Sequence, residues 1–187
     1  MDCRYTIQFF NEWHCGSGLA AGADIDLLVV KDKQDLPFVP GKTVKGLVRE
    51  AIEVLCQLGE CDENVICQLF GKPGDKQENL THQGMCVFSN ATLHDDVSSA
   101  IASNGLSQHL YRNVSSTAID DDGVAKEHSL RNVEVVVPCT VEGRVYNVPQ
   151  EHYELLRRAF AMIKRMGQSR NRGYGRCDMK LMKIVKS

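Results

Sequence analysis

A glycine-rich loop near the C-terminal end of the chain holds the densest group of residues suited to binding an anion. It reads Gly167-Gln168-Ser169-Arg170-Asn171-Arg172-Gly173-Tyr174-Gly175-Arg176. Glycines let a backbone turn tightly and approach a ligand closely, and arginines hold phosphates through two parallel hydrogen bonds. The segment predicts either a phosphate-binding loop or a flexible basic loop, and taken alone it favours neither.

A second cationic cluster lies where a helix is predicted to begin. Pro40 and Gly41 precede Lys42 and Lys45, and Arg49 follows one turn later. The free amides of a helix start can bind an anion, although the glycine spacing is not that of a P-loop. The cluster is therefore either an anion site or a capped helix with surface lysines.

A histidine and two carboxylates form a third candidate. His14 stands in a loop rich in glycine, and Asp24 and Asp26 follow it. On a strand, residues two positions apart face the same side, so both acids would point one way. Such a group could position a phosphate and a base, but a single histidine is more often structural.

The eight cysteines are predicted to be free thiols or metal ligands, because a cytosolic chain rarely keeps disulfides. Cys56, Cys61 and Cys67 follow the first long helix, and His82 comes later. Three thiolates and one imidazole would suit tetrahedral zinc. The alternative is that these cysteines are thiols buried on helix faces.

Charge is distributed unevenly along the chain. The net charge is −2, yet Lys and Arg dominate from Arg157 to Lys186, where Asp178 is the one acid. A basic segment can bind phosphate even when the whole chain is acidic. The sequence shows neither a signal peptide nor an apolar run of membrane-spanning length. We therefore expect a soluble, cytoplasmic protein with no membrane partner.

Apolar patterns predict the elements that position these residues. Strands are predicted over 5–12, 25–30, 85–93, 133–145 and 176–185, and helices over 43–55, 62–69 and 150–166. After the loops are removed, the order matches an α+β, ferredoxin-like (RRM-like) βαββαβ core with helices on one face. Residues 1–187 then form one domain, with an insertion at 110–130 and the glycine loop before the last strand.

The order of the motifs resembles the RAMP (repeat-associated mysterious protein) superfamily of CRISPR-associated proteins, and within it the backbone subunit of type III effector complexes. The equivalent segments are His14-Cys15-Gly16-Ser17-Gly18, Ile25-Asp26, Pro40-Gly41-Lys42-Thr43-Val44-Lys45-Gly46 with Arg49, Leu69-Phe70-Gly71, Thr117-Ala118-Ile119-Asp120 and Arg170-Asn171-Arg172-Gly173-Tyr174-Gly175-Arg176. The resemblance spans nearly the whole chain.

This resemblance implies a palm that grips guide RNA and a β-hairpin thumb, residues 110–130, that interrupts the duplex of guide and target. It implies cleavage of target RNA by Asp26, or by Asp24, with Mg²⁺ or another divalent metal. The implied partners are guide RNA, target RNA and other effector subunits, including copies of this chain. The implied RNA-binding residues are His14, Lys42, Lys45, Arg49, Arg170, Arg172 and Arg176.

Three other functions stay open at this point. The protein could be a structural RAMP subunit that binds RNA without cutting it. It could be a guide-processing endoribonuclease, in which His14 would carry the acid–base chemistry. It could also be a ferredoxin-like domain unrelated to RNA, whose glycine loop binds a nucleotide or a small anion.

Overall fold

The computed structural model describes residues 1–20, 25–72, 83–126 and 128–184, with the backbone but not the side chain of residue 170. The strands are β1 (Cys3–Phe9), β2 (Val87–Phe88), β3 (Tyr111–Ser116), β4 (Arg131–Val136), β5 (Thr140–Tyr146) and β6 (Cys177–Lys183). The α-helices are α1 (Gly41–Gln57), α2 (Glu63–Phe70), α3 (Asp95–Ser103) and α4 (Tyr153–Met162).

An antiparallel sheet in the order β2-β5-β1-β6 forms the centre of the molecule. In β1, Tyr5 and Ile7 are buried whereas Arg4 and Gln8 are exposed, as the period of two along a strand requires. Helices α1 and α4 cover the buried face and pack on each other and on the sheet. No helix in the described part of the chain is long and apolar enough to cross a membrane.

The protein is thus a mixed α+β chain, and the order β1, α1, β2, β5, α4, β6 is consistent with the predicted ferredoxin-like arrangement. The predicted strand over 133–145 was wrong, because it is two strands in different sheets. β4 pairs with β3, and β5 joins the central sheet. Pro138 lies between them, and its missing N–H breaks the run.

Two other predicted strands are shorter than expected. The segment 25–30 makes only isolated bridges, because its backbone hydrogen bonds are divided between the loop at 15–19 and β4. The segment 85–93 keeps a strand only at Val87–Phe88. Beyond that strand, Ala91 and Thr92 bridge to different neighbours. Both segments still connect the sheet to the surrounding loops.

A two-stranded hairpin, here called the thumb hairpin (residues 111–136), occupies the predicted insertion. Its strands β3 and β4 pair antiparallel from Tyr111–Val136 to Ser116–Arg131. At the tip, Asp120 Oδ1 accepts a hydrogen bond from the N–H of Val124 at 2.9 Å, which closes the turn. At the base, Val136 exchanges two backbone hydrogen bonds with Trp13, so the hairpin is attached to the core.

Candidate nucleic-acid interface

Three of the segments predicted to bind an anion meet around one surface cavity. The loop after β1, the start of α1 and the glycine loop each supply part of its wall. The lining residues are His14, Cys15, Gly16, Pro40, Lys42, Thr43, Leu47, Gly167 and Gln168. Motifs more than 150 residues apart in sequence are therefore neighbours in the fold.

The glycine loop is fixed to the loop after β1 by close backbone contact. Gln168 N–H donates to His14 O at 2.9 Å, and Gly175 N–H donates to Glu12 O at 2.8 Å. Gly167 has φ +86°, and a Cβ added there would lie 2.3 Å from His14 O. Only glycine allows both this conformation and this approach. The glycines of the motif therefore position the loop against His14.

The start of α1 is fixed in a similar way. The N–H of Gly41 donates to Asn90 Oδ1 at 2.9 Å, and a Cβ on Gly41 would lie 2.3 Å from Phe88 O. The first turn contains no acidic residue, so the positive end of the helix dipole is not offset there. Lys42 is exposed at the cavity edge, whereas Lys45 is half-buried and lies near the thiol of Cys86.

His14 is the most informative residue of the cavity, because it is only 2% exposed. Its Nδ1 lies 2.6 Å from the carbonyl oxygen of Glu134, which can only accept, so Nδ1 carries the proton. Its Nε2 is buried and has no hydrogen-bond partner among the described residues. Buried polar atoms are nearly always paired. Nε2 is therefore a buried acceptor at the wall of the cavity whose hydrogen bond is left unmade by the described residues.

His14 also lines a second, adjoining cavity between the thumb hairpin and the glycine loop. The base of the hairpin contributes a wall of valines, and the glycine loop contributes polar and aromatic groups. The lining residues are His14, Val114, Ser116, Val133, Val135, Gln168, Ser169, Arg172 and Tyr174. The exposed Arg172 lies here, so the two cavities together place Lys42 and Arg172 on either side of His14.

Asp26 is exposed beside the base of the thumb hairpin. Its Oδ2 accepts the N–H of Asn132 at 2.7 Å, and its own N–H donates to Asn132 O at 2.9 Å. Asp24 lies outside the described residues. Among the described residues, no three His, Cys, Asp or Glu side chains are grouped to hold a metal ion. Asp26 alone is too small a donor set for a divalent cation, so a metal there would need ligands that the described residues do not supply.

The sequence identifies the family to which this chain belongs. The model of the RAMP superfamily matches residues 6–178, a span that contains every lining residue of both cavities. The chain belongs to the RAMP superfamily. No curated protein matches the sequence.

Two solved structures share the fold of this RAMP protein. One is a chain in the cryo-EM structure of the Type III-B Cmr-beta bound to cognate target RNA, with a TM-score of 0.71, 12% identity and 97% of each chain covered. The other is a chain in the Type III-B Cmr-beta cryo-EM structure of the apo state, with a TM-score of 0.71 and 12% identity. There the alignment covers 100% of this chain and 99% of the other. At this identity the likeness establishes the fold.

Glu134 is a residue of this RAMP site that sequence reasoning missed. Its side chain is almost fully buried, with Oε2 accepting from Val29 N–H at 3.0 Å and Oε1 paired with Lys31 Nζ at 2.8 Å. Its backbone carbonyl fixes His14. A single acid inside the apolar run 133–136 was the available signal. Glu134 therefore positions both the segment after Asp26 and the imidazole.

Other predicted RNA-binding residues lie apart from the cavities. Arg49 donates to Glu53 Oε1 at 2.9 Å and lines a groove near α2. Arg176 lies beside the exposed ring of Phe10. The side chain of Arg170 is not described. The structure thus brings His14, Lys42 and Arg172 together, and a role for the other cations in RNA binding stays a prediction.

The cysteine prediction needs a correction for two residues of this RAMP protein. Cys56 and Cys61 form a disulfide, so neither sulfur is a free thiol and neither can act as a thiolate ligand in this state. The pairing is possible because the end of α1 turns back on itself and brings the Cα atoms to 4.5 Å. Cys67 is a free, half-buried thiol, and His82 lies outside the described residues. Zinc binding by the reduced chain stays a prediction.

Cys15 lines the first cavity but is not a candidate nucleophile. Burial raises the pKa of its thiol to about 12, and burial also raises the pKa of the Cys177 thiol to about 11. Nucleophilic attack requires the thiolate. At neutral pH both thiols are protonated, so neither is suited to act as a nucleophile.

Proposed function

We propose that this RAMP protein is a guide-RNA-binding backbone subunit of a type III CRISPR effector complex, built on a ferredoxin-like core. The observation that supports this most is Nε2 of His14, which has no hydrogen-bond partner in the described part of the chain and lies between two cavities that also present Lys42 and Arg172. The likeness of fold to Cmr-beta chains adds to it. The proposed partners are guide RNA, target RNA, other subunits and copies of this chain.

Each group has a distinct role in this proposal. Lys42, at the start of α1, and Arg172, on the glycine loop, hold backbone phosphates. His14 Nε2 accepts a hydrogen bond from a ribose 2′-hydroxyl, the group that distinguishes RNA from DNA. The thumb hairpin places exposed apolar residues at its tip, with Ile119 65% and Val124 61% exposed. In the proposal this tip separates neighbouring base pairs of the duplex of guide and target.

Cleavage of target RNA is a separable part of the proposal and rests on Asp26. Its carboxylate is anchored by Asn132 beside the thumb hairpin, where target RNA would pass. In this proposal the 2′-oxygen of the target attacks the adjacent phosphorus while the Asp26 carboxylate accepts its proton, and the bond from phosphorus to the 5′-oxygen breaks, with the leaving 5′-oxygen taking a proton from water. A divalent metal would need ligands beyond Asp26, and its binding stays a prediction.

The binding proposal is tested with the full chain and labelled single-stranded RNA across a series of salt concentrations. Lys42→Ala and Arg172→Ala should each weaken binding and lower the slope of log K against log salt by about 0.7 to 1, the value for one phosphate contact. Arg157→Gln is the matched control, because Arg157 pairs with Glu154 on α4. Absence of RNA binding by the wild-type chain, or equal slopes in all variants, would refute the proposal.

The cleavage proposal is tested in the assembled complex with target RNA. Asp26→Asn should abolish cutting while leaving guide RNA bound, and Asp121→Asn, an exposed acid at the hairpin tip, should cut normally. EDTA should stop the reaction. Undiminished cleavage by Asp26→Asn would exclude the assignment. EDTA-resistant cutting of a repeat hairpin, lost in His14→Ala, would instead favour guide processing.

A further inference from the structure

Phe10 is a large aromatic residue that the fold does not bury. It follows the end of β1, where Gln8 is exposed and Phe9 is buried, so alternation directs Phe10 to the sheet face opposite α1 and α4. The residue is 50% exposed. Single exposed hydrophobic residues are common on protein surfaces. The groups around this ring therefore decide whether it is a ligand site.

Arg176 holds its guanidinium beside this ring. The guanidinium carbon lies 5.8 Å from the ring centroid of Phe10, within range of a cation–π contact. The backbones of the two residues are also joined, because Phe10 N–H donates to Arg176 O at 2.9 Å. Asn11 Oδ1 accepts the N–H of Arg176 at 2.8 Å. Ring and guanidinium are thus held in a fixed relation at the end of the glycine loop.

The groove that contains this pair is cationic. Its lining residues are Phe10, Lys164, Arg165, Arg176, Cys177 and Asp178. Asp178 Oδ1 pairs with Lys164 Nζ at 2.7 Å, and Asp178 Oδ2 lies 3.8 Å from Lys180 Nζ. One carboxylate thus holds two lysines in place. Among the lining residues, Lys164, Arg165 and Arg176 outnumber the single acid, Asp178.

Single-stranded RNA fits this chemistry better than a protein partner does. Bases stack on aromatic rings and on guanidinium planes, and lysines and arginines hold the flanking phosphates. Sheets of RRM type use aromatic residues on their helix-free face for such stacking. An acidic peptide would satisfy the charge, but it would not use a flat ring and guanidinium held side by side.

We propose that Phe10 and Arg176 form a stacking platform for an unpaired base of bound RNA, with Lys164 and Lys180 holding adjacent phosphates. The platform lies at the opposite end of the glycine loop from the His14 cavity, since Gly167 contacts His14 and Arg176 contacts Phe10. RNA that crosses the glycine loop would reach both places. This inference rests on the proposed RNA-binding function and extends it to a second site.

The test compares Phe10→Leu with Phe10→Trp in the full chain. Leucine keeps an apolar side chain but removes the ring, so binding of single-stranded RNA should weaken about 10-fold, within the range for one stacked base. Tryptophan should retain wild-type affinity. Arg157→Gln is the charge control, because it lies on α4 and already pairs with Glu154. Fluorescence anisotropy with a labelled oligonucleotide gives the affinities, and thermal melting confirms that each variant folds.

A second readout is photocrosslinking with RNA that carries 5-iodouridine, followed by mass spectrometry. The expected crosslink maps to Phe10 and disappears in Phe10→Leu. Equal affinity of Phe10→Leu and wild type, with no crosslink at Phe10, would overturn the platform. Failure of Phe10→Leu to join the effector complex, with RNA affinity unchanged, would assign the ring to a protein contact and also overturn it.

The outcome separates this inference from the proposed function. Weakening by Lys42→Ala but not by Phe10→Leu would reject the platform and keep the cavity. Weakening by Phe10→Leu but not by Lys42→Ala would keep the platform and reject the cavity. A wild-type chain that binds no RNA would reject both.

Discussion

Replacing Gly167 with alanine tests whether close backbone contact holds the glycine loop on His14. Gly173, in the same loop, is a matched control. Both glycines have positive φ, +86° at Gly167 and +93° at Gly173. A Cβ at Gly167 would lie 2.3 Å from His14 O, whereas a Cβ at Gly173 meets no described atom within 4 Å. The two substitutions therefore share a conformational cost and differ in the contact.

The shared cost is small. An L-residue at positive φ loses roughly 1–2 kcal/mol, and alanine recovers about 0.4–1 kcal/mol by restricting the unfolded chain. Gly173→Ala should therefore lower the free energy of unfolding by about 1 kcal/mol. At Gly167 the new carbon must move, since real Cβ atoms are essentially never closer than 3.0 Å to such a neighbour. Overpacking adds roughly 1–3 kcal/mol, and loss of the hydrogen bond from Gln168 to His14 adds about 1 kcal/mol.

Urea denaturation and thermal melting measure the difference between the two variants. Gly167→Ala should be less stable than Gly173→Ala by about 2–4 kcal/mol, or roughly 5–15 °C in melting temperature for a chain of this size. RNA affinity should fall in the first variant more than in the second, because the loop moves away from His14. If Gly167→Ala and Gly173→Ala had equal stabilities within about 0.5 kcal/mol, the glycine loop would not be in close contact with His14, and the arrangement described for the cavity would be wrong.

Three further perturbations have defined outcomes. Glu134→Ala leaves the buried N–H of Val29 unpaired and should lower the free energy of unfolding in urea by about 2–3 kcal/mol. A decrease below about 0.5 kcal/mol would show that the Glu134 carboxylate does not hold Val29 in place. Replacing Cys56 and Cys61 with serine should lower the free energy of unfolding by about 2 kcal/mol, the value expected for the short loop that the disulfide closes between these residues. Denatured wild-type chain should show six titratable thiols before reduction and eight after it, and eight from the start would refute the disulfide. Because burial raises the pKa of Cys15 from 9.0 to about 12, its contribution to stability is complete below pH 9.0 and is lost above it. The urea midpoint should therefore fall as the pH rises from about 9 towards about 12, and a constant midpoint over that range would contradict the burial of this thiol.

Local sequence patterns predicted the helices α1, α2 and α4 but not α3 (Asp95–Ser103), which has no buried residue. Val44, Val48 and Ile52 recur at helical spacing and are buried on α1. The sequence patterns did not predict that the apolar run at 133–145 contributes strands to two different sheets. Apolar periodicity is the same on both sides of Pro138, and the choice of pairing partner depends on β1 and β3, which lie far away in sequence.

The candidate site was predicted in outline, and its details depended on side-chain direction. Lys42 and Arg49 belong to the same predicted helix start, but Lys42 reaches the His14 cavity and Arg49 pairs with Glu53. Seven positions along a helix correspond to almost two turns, and the rise separates their surroundings. Phe10 was not predicted because an aromatic residue after a strand is common, and Glu134 was marked only as the one acid in the apolar run 133–136. The exposure of Phe10 and the burial of Glu134 determine what each side chain can contact, and both properties arise only from tertiary packing.

The short link between β4 and β5 has a mechanical consequence. Only three residues, 137–139, separate the end of the thumb hairpin from a central strand of the sheet. Just before this link, Val136 exchanges backbone hydrogen bonds with Trp13. Within the link, Cys139 O accepts the N–H of Phe9 at 2.9 Å. The root of the hairpin is therefore hydrogen-bonded to β1 and to the residues that follow it. A ligand that displaced this root would also have to displace β1, which lies inside the central sheet.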